Sequence, residues 1–78
     1  MARTPSSIDI QAEMVANVVK VYVGAGDPVE QGETVVLLES MKMEIPVLAE
    51  QSGTVASVNV DEGDVVQEGD PLITLDLS

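Results

Sequence analysis

The sequence predicts an all-β domain of two small packed sheets or a flattened barrel, and three observations carry that expectation. Fourteen of the 78 residues are valine, while tyrosine occurs once and phenylalanine and tryptophan not at all. Valine is stiff at its first side-chain torsion and packs well on pleated surfaces. The chain also repeats itself at an offset of 37 positions, Gly26 to Gly63, with no gap in either copy. Finally, Gly-Asp turns and prolines separate the apolar runs, and no window shows a helical period.

The repeat is clearest where Gly26-Asp27-Pro28-Val29-Glu30-Gln31-Gly32-Glu33 aligns with Gly63-Asp64-Val65-Val66-Gln67-Glu68-Gly69-Asp70. Each copy reads as strand, strand, turn-rich loop, strand. The first strand alternates Ile8, Ile10 and Ala12 with Asp9 and Gln11, and its counterpart carries Ile45, Val47, Ala49 and Glu50. Alternation of this kind marks one buried face. In the second strand the apolar positions are Val18, Val21 and Val23, matched by Val55, Val58 and Val60. That spacing breaks the period of two at the same place in both copies, which predicts a shared β-bulge or bend. The Gly-Asp loops supply positive φ and side chains that bond nearby amides. Pro28 and Pro71 belong to turns or strand edges. The last strand of each copy holds Val36, Leu38 and Glu39, matched by Ile73, Leu75 and Asp76. Two similar copies pack about a pseudo-twofold axis, because each buries the same apolar face.

Length allows a single domain with a small core and no enclosed substrate cleft. With no cysteine and no histidine, disulfides, thiolate metal sites, thiol nucleophiles and histidine-based acid–base catalysis are excluded. A net charge of −11 repels nucleic acid phosphates and anionic membranes and favours partners with basic faces. The apolar runs are too short to span a bilayer, and the segment Met1 to Ser7 has no apolar stretch behind Arg3 to serve as a secretory signal. The expected location is cytoplasmic, with residues 1–7 as a flexible N-terminal tail and residues 8–78 as the domain.

The joint between the copies is the most informative segment. Strands on either side leave a tight hairpin with Met41 and Lys42 at its tip. Such hairpins favour Asn-Gly, because both loop residues need positive φ. Here two long side chains stand instead, and a local rule broken without a structural reason points to function. A surface lysine is ordinarily a solvated charge, and Lys20, whose counterpart is Ser57, fits that description. Lys42 differs because Met41 and Met43 flank it at an exposed turn.

The string Glu39-Ser40-Met41-Lys42-Met43-Glu44 resembles the attachment motif of biotinyl domains, in which the lysine between two methionines receives biotin. The Gly-Asp loops, Gly32-Glu33, Gly69-Asp70 and Gly53-Thr54-Val55 are similar to those of biotinyl and lipoyl domains, so the likeness spans roughly residues 8 to 77. In character the chain resembles small stand-alone actinobacterial biotinyl proteins, without the extra "thumb" of some bacterial carriers. The resemblance implies a flattened β-barrel, a barrel-sandwich hybrid of two four-stranded antiparallel sheets with pseudo-twofold symmetry. It implies covalent biotin on Lys42, with Glu39, Ser40, Met41, Met43 and Glu44 as the recognition motif. It also implies three partners: a biotin protein ligase that forms biotinyl-adenylate for attack by the lysine amine, a biotin carboxylase, and a carboxyltransferase acting on an acceptor such as an acyl-CoA. The protein itself would be a non-catalytic carrier and a monomer when alone. A lipoyl carrier of a 2-oxo acid dehydrogenase complex is the alternative on the same fold, although lipoyl domains place aspartate and alanine where this chain has Met41 and Met43. An unmodified structural or interaction module is a third reading.

Overall fold

Turn chemistry and valine-rich alternation divide the chain into short extended segments. A computed structural model of the chain describes residues 6–77, which form eight strands and no helix. They are β1 (Ser7–Gln11), β2 (Ala16–Val21), β3 (Pro28–Val29), β4 (Thr34–Ser40), β5 (Met43–Leu48), β6 (Gly53–Val58), β7 (Val65–Val66) and β8 (Pro71–Asp76). Two four-stranded antiparallel sheets result, one in the order β1-β8-β6-β3 and the other β5-β4-β2-β7. The all-β class and the two-sheet architecture expected from the sequence are what is found. Of the expected tail, residues 1–5 lie outside the described residues. Ser7 opens β1, and the Ser6 carbonyl accepts a hydrogen bond from the Leu77 amide.

The repeat governs the topology. Advancing each strand by one copy turns the order β1-β8-β6-β3 into β5-β4-β2-β7. The register follows: Asn17 pairs with Glu39 and Val18 with Leu38, as Thr54 pairs with Asp76 and Val55 with Leu75. The parity break appears as register shifts between Val18 and Lys20 and between Val55 and Ser57, one at the same point of each copy. A second shared irregularity was not apparent in the sequence. Register also shifts across Val35 in β4 and across Leu72 in β8. There the consecutive pairs Val35-Val36 and Leu72-Ile73 are all fully buried, since an extra residue lets two neighbours face inward.

The core lies between the sheets and contains no buried polar side chain among the described residues. All of its buried members except Ile10 and Ala16 have a buried counterpart at the repeat offset, for example Val18 with Val55 and Leu38 with Leu75. The exceptions mark small asymmetries. Ile10 is matched by half-buried Val47 on β5. Ala16 is matched by Gly53, where a Cβ would stand 2.5 Å from the Asp76 carbonyl oxygen.

The two copies are tied together through the Gly-Asp loops. In each loop an acidic side chain accepts from the amide three residues earlier: Asp27 from Gly24, Glu33 from Glu30, Asp64 from Asp61 and Asp70 from Gln67. The loop glycines then donate across the molecule, Gly26 to the Val55 carbonyl and Gly63 to that of Val18, Gly32 to Ala49 and Gly69 to Ala12. The result is an elongated body of 44 × 24 × 19 Å. Where one sheet has the Met41–Lys42 turn joining β4 to β5, the other has Ser7 of β1 beside Asp76 of β8.

Candidate functional site

Ser40 pairs with Met43, so β4 and β5 close on a two-residue loop of Met41 and Lys42. Both residues are left-handed, with φ of 53° and 67°. Two positive φ values in a two-residue loop follow the right-handed twist of the flanking strands, which is why glycine and asparagine dominate there. For residues bearing a Cβ, that conformation costs about 1–2 kcal/mol each. Among the described residues, Met41 and Lys42 are the non-glycine residues with positive φ. The expectation of an unusual, glycine-free turn is met in its backbone geometry.

The rest of the sequence motif lies on the same hairpin end. Glu39 and Glu44 are exposed and pair directly across the strands, Ser40 is half-buried, and the next pair inward is buried Leu38 with half-buried Ile45. Met41 is 92% exposed and Met43 65%, which places two soft apolar side chains in solvent on either side of Lys42. The lysine is exposed, and no ion pair or hydrogen bond ties its amine to another described residue. Lys20 is also exposed, but its Nζ lies 5.7 Å from the centre of the Tyr22 ring, within cation–π range. The structure therefore brings all six motif residues to one hairpin end and, among the described residues, leaves Lys42 as the unengaged amine.

No other region among the described residues assembles a competing chemical site. An open groove of about 270 Å³ runs along β5, lined mainly by Met14, Ile45, Pro46, Val47 and Leu48. A wider one is bordered by Asp9, Glu13, Glu50 and Glu68. Neither joins a nucleophile to a base, and no group of three or more acidic side chains is arranged to hold a metal ion among the described residues. Among the described residues, no helix is long and apolar enough to cross a membrane.

Residues 3–75 match the biotin–lipoyl family model, described as "Biotin-requiring enzyme". The chain belongs to the biotin–lipoyl family. Over 40 residues it is 62% identical to "Biotinylated protein TB7.3" of Mycobacterium tuberculosis, a match covering 51% of this chain and 56% of that relative. The matched stretch thus spans little more than half the relative's length. Among solved structures, a single-chain, multi-domain long-chain acyl-CoA carboxylase superposes with a TM-score of 0.88 at 29% identity, covering 100% of this chain and 8% of that one. The lipoyl domain of the 2-oxoglutarate dehydrogenase complex from Azotobacter vinelandii superposes with a TM-score of 0.74 at 32% identity, covering 87% and 94%. Both branches of the biotin–lipoyl family therefore share this fold.

The outward face of the Lys42-bearing sheet escaped the reading by sequence. Pro46, Leu37 and Lys20 form a cross-strand row there with Tyr22 beside Lys20, and the signal was present in the repeat itself, because their counterparts Asp9, Thr74, Ser57 and Asn59 are all polar.

Proposed function

We propose that the protein is a biotin carboxyl carrier domain that takes biotin on Lys42 and serves a biotin-dependent carboxylase as a non-catalytic, cytoplasmic carrier. The observation that carries this reading is the Met41–Lys42 turn, which holds an unengaged, exposed amine at a hairpin tip in a conformation ordinarily given to glycine. Amide formation needs an amine that another enzyme's active site can reach, and this turn fits that need. Lys42 Nζ, as the neutral amine, attacks the acyl carbon of the ligase's biotinyl-adenylate; the amide C–N bond forms as the acyl C–O bond to phosphate breaks, AMP leaves, and the nitrogen gives up one proton. Attached biotin supplies a group that takes up a carboxyl and gives it up elsewhere.

The chain's own residues present and dock. The β4–β5 pairing runs up to Ser40 and Met43 at the base of the tip, and the lysine arm beyond it keeps its end at high effective concentration near a docked partner. Met41 and Met43 are flexible and polarisable, which suits contact with several surfaces in turn. Glu39 and Glu44 favour basic groups on a partner. The partners are a biotin protein ligase, a biotin carboxylase and a carboxyltransferase, with the carrier monomeric when alone. The superposition on an acyl-CoA carboxylase supports that setting.

A lipoyl carrier is the second reading, favoured by the superposition on a lipoyl domain. Met41 and Met43, together with the biotinylated relative, favour biotin. Initial labelling rates of the unmodified protein by purified biotin ligase and lipoate ligase separate the two. Biotin is expected to be taken faster, and Met41→Asp with Met43→Ala should slow it. Faster lipoylation of the wild type overturns the assignment.

A further inference from the structure

The repeat gives every position a counterpart in the same local setting, so a difference between counterparts is not imposed by the fold. On the outward face of the β1-β8-β6-β3 sheet, the row is polar and bonded to itself. Thr74 Oγ1 donates to Asp9 Oδ1 at 2.9 Å, Asn59 Nδ2 donates to Thr74 Oγ1 at 3.1 Å, and Ser57 Oγ donates to Asn59 Oδ1 at 3.1 Å. At the same register on the Lys42-bearing sheet, Leu37 pairs with Pro46 on one side and Lys20 on the other, and Tyr22 stands beside Lys20. Neighbouring Val36 and Leu38 are buried, so Leu37 faces outward; Tyr22 is 49% exposed. The contrast is general. Every exposed large hydrophobic among the described residues lies on this sheet, at its edges or in the loop entering β2, and none lies on the strands of the other sheet.

Toward the tip, the same face sets Glu39 directly opposite Glu44. Like charges so placed repel. The counterpart pair is Asp76 with Ser7, an acid facing a hydroxyl. The apolar pair Leu37 and Pro46, a carboxylate pair suited to receiving a cation, and the Lys42 turn are therefore continuous along one hairpin.

We propose that the outward face of β5, β4 and β2 is the surface on which the biotin ligase docks, with apolar contact on Leu37, Pro46 and Tyr22 and a basic ligase side chain between Glu39 and Glu44. The proposal rests on biotinylation of Lys42. Enzymes that use the loaded carrier draw binding from the attached cofactor. The ligase meets the bare chain, and side chains alone must supply its contact. The docking also explains the choice between two exposed lysines. Lys20 lies within the face and is covered, whereas Lys42 projects beyond its end toward the ligase's reacting group. A net charge of −11 disfavours a second copy as the occupant and favours a basic-rimmed one.

The test is steady-state biotinylation of the full chain by purified biotin ligase, reading KM and kcat separately. A variant carrying the counterpart residues, Lys20→Ser, Tyr22→Asn, Leu37→Thr and Pro46→Asp, should raise KM about tenfold or more, the loss expected when a central contact cluster is removed. Its kcat should stay near wild type, because the reacting amine is untouched. The double variant Lys20→Ser with Tyr22→Asn changes exposed positions only; it should raise KM about threefold with an unchanged Tm, and it decides the matter if the fourfold variant melts. Thr74→Val on the opposite face should leave KM unchanged. A wild-type KM in the face variants, or a fall in kcat alone, overturns the proposal. Wild-type protein that takes no biotin at all would instead overturn the function on which it rests.

Discussion

Gly26, Gly32, Gly63 and Gly69 adopt positive φ values of 90° to 96°, and so, at 53° and 67°, do Met41 and Lys42. The two sets meet similar backbone demands with opposite residue choices. The glycines stand in loops that fasten one copy of the repeat to the other, and a Cβ at any of them would meet nothing within 4 Å. Space is available there, so glycine is kept for its backbone freedom alone. At the Met41–Lys42 tip the same freedom would help, yet two long side chains are retained and carried into solvent. Turns that only have to fold use glycine, and the turn proposed to present an amine accepts backbone strain.

Substitutions at each set test that contrast. The largest expected effect is at the fastening loops. Gly32→Ala and Gly69→Ala should each lower stability by about 1–2 kcal/mol, the cost of placing a Cβ in the left-handed region. Because the two positions are repeat counterparts, their denaturant midpoints should fall by similar amounts. A neutral result at both would show that these loops relax without glycine. A smaller change of opposite sign is expected at the tip. The pair Met41→Asn with Lys42→Gly installs the preferred turn residues and should raise stability by about 1 kcal/mol while removing the proposed acceptor amine. Equal or lower stability in urea titration would mean that the tip is not strained and that its residues are suited to it structurally.

Much of this architecture could be read from residues, for physical reasons specific to each element. The gap-free repeat made the two copies equivalent before any strand was paired. The shared spacing of Val18 with Val21 and of Val55 with Val58 signalled a bulge or bend, because three inward valines so spaced cannot keep a period of two. The second bulge left no such trace. Val35-Val36 and Leu72-Ile73 are adjacent apolar residues, and an apolar pair reads equally well with either member facing inward. The turn was legible because it lacked glycine where glycine was expected. The apolar outer row was not, since Leu37 and Pro46 look like core residues in a linear sequence. Only pairing them with Lys20, and comparing them with Asp9 and Thr74, reveals that they face out.

The central claim is that Lys42 is the acceptor and that the surrounding fold does not depend on it. Intact-mass measurement after co-expression with biotin ligase tests this most directly, on wild type, Lys42→Arg and Lys20→Arg. Arginine keeps the charge but remains protonated, so it cannot act as the nucleophile. One biotin per chain is predicted on wild type and on Lys20→Arg, and none on Lys42→Arg, with the same Tm in all three. Biotin on the Lys42→Arg protein, or its loss from Lys20→Arg alone, would contradict the assignment.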